Sequence, residues 1–398
     1  MASQDITPVS TDNDKVSLLN DPKFRGYLFQ FLALLVIAAL GYWIVNNTIA
    51  NLQRARLASG FGFLDGRAGF DISSSPYISY TSDSTFARAL LVGILNTLTV
   101  AVAGIITATI IGFVIGIGRL SHNWLIRKIC TVYVELFRNI PPLLVIFFWY
   151  SGVLAVLPQA RQSIALPLGT YLNNRGFYVP SLILGEGAWL AGVAFLIGIV
   201  ATFFVRRWAH KRQMATGQPF PAALASIALI VGLPLLALAI KGFPLSWDYP
   251  ILGNFNLRGG SQVGPEFISL YLALSFYTAS FIAEIVRAGI RGVGKGQSEA
   301  AHALGLRAGP TTRLVVVPQA MRIITPPLAS QYLNLTKNSS LAIAAGYPDL
   351  FAVGGTILNQ TGRSLEVVAI FMIVYLSLSV LTSLFMNWYN AKMALVER

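Results

Sequence analysis

Long stretches without a charged side chain alternate along this chain with short segments that gather nearly all of its charge. Eight such stretches occur, at 27–50, 89–118, 139–160, 187–205, 213–240, 267–283, 323–346 (broken only by Lys337) and 367–391. An α-helix rises 1.5 Å per residue, so about 20 apolar residues cross the roughly 30 Å hydrocarbon layer of a bilayer. The pattern predicts an all-α, polytopic membrane protein of about eight transmembrane helices. The sixth stretch is short of a full span unless its helix continues past Glu284, and the seventh carries a lysine near its centre.

Composition agrees with this pattern. Only 11% of the 398 residues are charged and 55% are hydrophobic, against roughly 25% charged in soluble domains. A soluble globular fold, a disordered chain and a disulfide scaffold are all excluded. One cysteine, Cys130, and three histidines, His122, His210 and His302, are too few ligands for a structural zinc site or a thiol mechanism.

The net charge of +13 matters through its distribution. In an eight-span arrangement 17 Lys and Arg fall on the side holding both termini and nine on the other, with Arg138, Arg322 and Lys337 at span ends or inside. Excess cations mark cytoplasmic loops, so both termini are expected in the cytoplasm, and the same bias accounts for the charge without nucleic acid. The first 26 residues are polar and lack the basic and short apolar regions of a cleaved signal, which makes the first span an uncleaved anchor.

Three connecting segments stand out. Residues 51–88 are rich in Gly, Ser and Asp, and 159–186 read as a loop. The third, 287–317, holds four glycines followed by a compact helical stretch over 298–304. There Glu299 is expected in the first turn, where it complements the helix dipole, and Gly305 supplies a left-handed stop. Gly309-Pro310 then starts a second helix with proline at its first position. A short surface helix of this kind is either a knob that inserts into a partner's cleft or a plain connector.

Ionisable groups inside spans are costly and face the bundle interior. Glu284 is placed to pair with Arg287, one turn away, or with Arg138, either as a brace for a gate or as a structural ion pair. Lys337, beside Asn338, Ser339 and Ser340, either binds a substrate carboxylate or anchors a span end. Gly112 and Gly116, in GxxxG spacing, predict close helix contact. Trp43, Trp149, Trp189, Trp247 and Trp388 read as an interfacial belt. Gly289, four residues, then Gly294-Lys295 is a near miss to a phosphate-binding loop, with Gly296 where magnesium needs Ser or Thr.

Glu299-Ala300-Ala301, three residues, Gly305, nine residues, then Val315-Val316-Val317-Pro318 resembles the EAA loop of bacterial ABC importer permeases, with Val315 and Val317 for the usual Ile and Leu. The polar amino-acid permease branch is similar over more of the chain. Its motifs match Leu95-Asn96-Thr97-Leu98, Glu135-Leu136-Phe137-Arg138-Asn139-Ile140-Pro141-Pro142, Ala283-Glu284-Ile285-Val286-Arg287-Ala288-Gly289, Pro318-Gln319-Ala320-Met321-Arg322 and Lys337-Asn338-Ser339-Ser340-Leu341-Ala342. The chain departs from that branch in its first span, in two further spans within 187–240 and in Ile140, where the branch often has Thr. The longer form is similar to general L-amino-acid permeases.

The resemblance implies a type I ABC importer permease core. It implies a cytoplasmic tail (1–26), an anchor helix (27–50), two parts of the core (89–157 and 267–388) and an insertion (158–266), with a coupling loop at 287–317. Glu299, Ala300, Ala301, Gly305 and Pro318 would couple to a pair of cytoplasmic ATPase subunits, which would hold ATP and Mg, while this chain binds no cofactor and no metal and is not an enzyme. Glu135, Arg138, Glu284, Arg287, Lys337, Asn338, Ser339 and Ser340 are the gate and pathway candidates. A second, different permease chain, a periplasmic amino-acid-binding protein, an L-amino acid and membrane lipid are the implied partners, in the bacterial inner membrane. The rival reading is an ion-coupled secondary transporter, which needs an acidic site near the midplane, a place only Glu284 fills in this reading.

Overall fold

The computed structural model describes residues 22–54, 60–253 and 256–393. Most of the expected tail at 1–26 therefore lies outside the described residues. Helix α1 (Pro22–Arg54) is apolar all round, and none of its Phe24–Asn51 stretch is buried in the chain. Helix α2 (Phe86–Gly118) starts where the Thr85 hydroxyl accepts the Arg88 N–H at 3.3 Å. The chain then forms α3 (Trp124–Asn139), which bends by 110° into α4 (Pro142–Phe147) and its π-helical continuation Phe148–Leu154.

Strands β1 (Ile164–Leu166), β2 (Thr170–Asn173), β3 (Gly176–Val179) and β4 (Ser181–Leu184) follow, then α5 (Trp189–Thr216), α6 (Ala222–Ile227) and α7 (Leu233–Ile240). After them come β5 (Leu245–Asp248), β6 (Ile251–Leu252), β7 (Leu257–Arg258) and β8 (Ser261–Val263). The last part holds α8 (Pro265–Arg291), α9 (Lys295–Ala303), α10 (Ala308–Thr311), α11 (Val317–Asn338), α12 (Leu350–Thr361) and α13 (Ser364–Met393). Among the described residues six helices can cross a membrane by length and composition, or eight if each bent pair counts as one span.

The chain is thus mostly helical, and the expected eight spans correspond to these six helices and two bent pairs, with several boundaries moved. The third apolar stretch is not a straight span from 139 to 160. Its first part is the amphipathic α3, which lies within what the charge pattern treats as a loop because it carries Arg127, Lys128, Glu135 and Arg138. Helix α5 runs on to Thr216 through its basic end, and the following helix begins at Ala222, nine residues later than the charge-free run. Helix α8 does continue past Glu284, which completes the sixth span. The seventh stretch is one arm of a bent pair, Ala308–Ala345 and Leu350–Thr361, meeting at 56°.

Residues 159–186, expected as loop, form strands instead. Strands β1, β2, β3 and β8 make an antiparallel sheet in that order, and β4–β5 and β6–β7 are separate pairs. Segment 60–85 is equally well packed. Phe63, Phe70, Ile72 and Tyr80 close over a small core of Ala68, Phe86, Leu90, Leu350, Val353, Ile357 and Val367.

The main core lies along α8, whose Leu270, Leu274, Ile282 and Val286 are fully buried against Val100, Ala101 and Ala108 of α2 and Ile324, Leu328 and Leu335 of α11. Gly112 and Gly116 permit this approach. A Cβ at Gly112 would stand 2.5 Å from the Ile282 side chain, and one at Gly116 2.7 Å from the Ala283 carbonyl oxygen. Helices in lipid associate through such fit, so the GxxxG expectation holds. Trp149 departs from the interfacial belt: its ring stacks on Phe276 at 5.7 Å and packs against the core, with its indole nitrogen buried.

Gly116→Ala should therefore destabilise the bundle by about 1–3 kcal/mol through backbone overpacking. Gly41→Ala in α1, with nothing within 4 Å, should leave it unchanged. Thermal unfolding of the two variants in mild detergent checks this.

Candidate functional site

At the end of the bundle where α2 finishes and α8 turns toward α9, five charged side chains converge. The Glu284 carboxylate accepts from Arg119 and from Arg287, and Arg138 stands at 3.7 Å from it. Arg119 also lies 3.9 Å from Glu135. The charge pattern pairs Glu284 with Arg287 or Arg138 and counts Arg119 among loop cations. Both pairings are present, and the structure adds Arg119 as the most enclosed member, 9% exposed against 59% for Glu135. Arg119 follows Gly118 at the end of α2, and Glu284 sits one turn before Arg287 on α8. The α2–α8 contact therefore brings them together across 165 residues.

Helix α3 completes the cluster. Its N-terminus is capped by Asn123, whose Oδ1 accepts Leu125 N–H at 2.9 Å and Ile126 N–H at 3.3 Å. Tyr133 donates to the Phe276 carbonyl at 2.7 Å, and Phe137 stacks on Phe276, holding Glu135 and Arg138 at the base of the bend. The Arg138 guanidinium lies over the Phe281 ring at 5.6 Å. Three arginines face two carboxylates, and the Arg287 Nε is buried without a hydrogen-bond partner.

Nearby, α9 runs Lys295–Ala303 from an N-cap glycine, Gly294, that offers no side chain. Glu299 is consequently its fifth residue and not in its first turn, so the expected dipole complement is absent. The C-terminal stop is as expected: Gly305 has φ +79°, its N–H donates to the His302 carbonyl at 2.9 Å, and Leu306 N–H donates to that of Ala301 at 3.1 Å. Left-handed backbone of this kind favours glycine. Ala301 is buried while Glu299, Ala300 and Leu304 are exposed, Leu304 at 83%. Gln319 Nε2 donates to Gln297 Oε1 at 3.2 Å and ties α9 to the start of α11, where Pro318 occupies the first turn. Pro310 is the third residue of α10, not the first.

Lys337 does not face the bundle interior expected of an ionisable group within a span. Its side chain is exposed, at the rim of a hollow of about 330 Å³ shared with Ser340, Phe351, Phe371, Met372 and Tyr375. It is not a buried ammonium in a polar nest. Asn338 ends α11, the Ser339 hydroxyl donates to the Thr336 carbonyl at 2.7 Å and that of Ser340 to the Lys337 carbonyl at 2.8 Å. These hydroxyls thus bond the helix's own backbone.

Two features went unread in the sequence. Asp349, fully buried at the break before α12, caps that helix by accepting Ala352 N–H at 2.9 Å, so Glu284 is not the sole acid within the spans. Asn96 and Thr97 of α2 stitch the same break. Asn96 Nδ2 donates to the carbonyls of Pro348 at 2.9 Å and Ser74 at 2.8 Å, and Thr97 Oγ1 accepts Leu350 N–H at 3.1 Å. Asp after Pro348 and before an apolar run was the available signal for the cap. Among the described residues no cluster of metal-ligating side chains occurs.

A polytopic bundle with broken spans and a short exposed helix between two of them is the architecture of a transport subunit. The chain belongs to the family of binding-protein-dependent transport system inner membrane components, whose pattern matches residues 104–395. It is 68% identical to the general L-amino acid transport system permease protein AapQ of Rhizobium johnstonii, over 96% of this chain and 95% of that one. It is 48% identical to the putative amino-acid ABC transporter permease protein YhdX of Escherichia coli, over 98% and 99% of the two chains. A third relative, the glutamate/glutamine/aspartate/asparagine transport system permease protein BztB of Rhodobacter capsulatus, is 41% identical over 96% of each. The expected family, a multi-pass ABC importer permease, is therefore borne out, and these relatives lend the ion-coupled alternative no support.

Glu284→Gln should lower thermal stability by about 2 kcal/mol, less than the roughly 3–5 kcal/mol of a fully buried broken pair because water reaches part of the carboxylate. Glu135→Gln, on an exposed partner, should cost about 1 kcal/mol or less. Equal losses in detergent-solubilised protein would contradict the central place given to Glu284.

Proposed function

We propose that this chain is the L-amino-acid permease subunit of an ATP-driven importer of the bacterial inner membrane. It works beside a second, different permease chain, takes substrate from a periplasmic binding protein, and docks through α9 on two cytoplasmic ATPase subunits that hold ATP and Mg. The observation that carries the docking is the geometry of α9: Ala301 turned into the protein, Glu299, Ala300 and Leu304 presented outward, and a helix stop at Gly305. The names of the relatives support the substrate class. Within this reading Glu284, Arg119, Arg287, Glu135 and Arg138 brace the cytoplasmic end of the pathway, next to the connection into α9. Residues 27–50 are an added anchor, and 158–266 an insertion between the two parts of the core (89–157 and 267–388); α5, α6 and α7 pack chiefly on one another. Asn338, Ser339 and Ser340 shape the break in the seventh span, and Lys337 flanks it.

Glu299→Lys and Leu304→Asp place a reversed or new charge in that surface. Each should reduce ATP-dependent uptake and ATPase copurification by about tenfold or more while the chain still reaches the membrane. Unchanged copurification in both variants would remove α9 from the interface.

The same reading puts both termini and the basic end of α5, from Arg206 to Arg212, in the cytoplasm. A single cysteine at position 210 in a chain lacking Cys130 should resist an impermeant thiol reagent applied outside intact spheroplasts, and react after lysis. Labelling before lysis would reverse the orientation.

A further inference from the structure

At the opposite end of the bundle from the arginine cluster lies a second site that neither the sequence motifs nor the relatives assign. A half-open hollow of about 610 Å³ is lined by three separate parts of the chain, inside the roughly 300–1,000 Å³ typical of small-molecule sites. Segment 60–85 contributes Ser74, the small sheet contributes Asn174, Arg175 and Gln262, and the helical core contributes Glu266 and Tyr347. One cation, the exposed Arg175, and one anion, the half-buried Glu266, therefore line the same space, and neither is among the ion pairs of the described residues.

The walls are fixed. The Asn174 N–H donates to the Pro158 carbonyl at 3.0 Å, the Arg175 N–H to Asn173 Oδ1 at 2.7 Å, and Gln262 Nε2 to the Arg175 carbonyl at 2.7 Å. Gly176 lets the hairpin tip press on β8, since a Cβ there would stand 2.1 Å from the Val263 carbonyl oxygen. Ser74 is held by Asn96, and Tyr347 donates to the Asn96 carbonyl at 3.3 Å. Asn174 Oδ1 is buried with no hydrogen-bond partner, an acceptor left in want of a donor. Pre-set walls with unpaired charges of both signs are what a small zwitterion requires, because the ordering is done before it arrives.

We propose that this cavity binds a free L-amino acid, with Arg175 meeting its carboxylate, and Glu266 and Asn174 Oδ1 meeting its ammonium. The main-chain charges common to all amino acids make the contacts, and the rest of the space, lined by Tyr150, Phe267 and Tyr347, accommodates different side chains. The site rests on the importer reading above, in which this end faces the periplasm and receives what the binding protein delivers. The strands of the inserted segment then have a role in the pathway, since they hold the Asn174–Arg175 tip over the start of α8.

The test is equilibrium binding of radiolabelled L-alanine to the complete transporter in nanodiscs, without binding protein. Saturable binding is expected, weakened about tenfold or more by Arg175→Gln and by Glu266→Gln, as loss of a charge-assisted hydrogen bond dictates. Arg175→Lys should recover part of it, which separates charge from folding. Alanine methyl ester and N-acetylalanine, each lacking one charge, should fail to compete. No saturable binding by the wild type, equal affinity in the variants, or competition by the ester as good as by alanine would each overturn the site. ATP-dependent alanine uptake by the wild type with its binding protein is measured in parallel. Its absence would sink the importer reading itself, whereas uptake with binding indifferent to Arg175 and Glu266 would sink only this cavity.

Discussion

Helices in lipid gain little from the hydrophobic effect when they pair, because the acyl chains are as apolar as leucine, so the α2–α8 contact has to rest on shape. Gly112 and Gly116 provide that shape by letting α8 settle against the backbone of α2, with Ile282, Ala283 and Val286 filling the groove. The register that results decides where polar groups fall. It places Arg119 at the Glu284 carboxylate at one end and carries Asn96 and Thr97 to the break before α12 at the other.

Polar groups in the spans follow one rule with two outcomes. Backbone freed by a bend must find partners where no water is available, and at the 345–350 break those partners are the side chains of Asn96, Thr97 and Asp349. At the other end the partners are charges, and they are not balanced: Arg119, Arg138 and Arg287 outnumber Glu284 and Glu135. Partial exposure of Glu284, at 26%, keeps that arrangement tolerable. An evenly neutralised and sealed cluster would favour one packing more rigidly than a partly hydrated one does.

The apolar runs made the number of spans legible, and the spacing of Glu299, Ala300, Ala301 and Gly305 made the family legible, because both are local properties of the chain. What escaped was tertiary or amphipathic. Helix α3 was hidden because its charges interrupt the run, although they occupy one face of an amphipathic helix that buries Cys130 and Val134. Arg119 looked like a loop cation because its partner is 165 residues away. Ser298 resembled a helix start, yet α9 begins earlier, at a glycine without a capping side chain, so Glu299 moved out of the first turn. Lys337 interrupts an apolar run, which places it inside a span, yet which face of the helix it occupies depends on packing the run does not carry. The strands of 164–184 span three or four residues each and pair with one another and with strands 61–86 positions away, too short and too remote for alternation to reveal them.

Helix α8 joins the two ends physically. Its 27 residues make a rod of about 40 Å at 1.5 Å per residue. Glu266 stands in its first turn beside the polar cavity, and Glu284 and Arg287 in its last turns, a few residues before α9. It is the most buried of the apolar helices, so it moves with its neighbours or not at all. The neighbours are jointed where α8 is not: α3 and α4 meet at 110°, the seventh span bends at 56°, and π-helical turns interrupt 148–154 and 312–316. The α9 end and the cavity end are therefore joined by one continuous element flanked by broken ones. The breaks beside this rod are closed by polar contacts, among them those of Asn96 and Thr97 to the 348–350 backbone, so the bent spans are held to the straight one at fixed points.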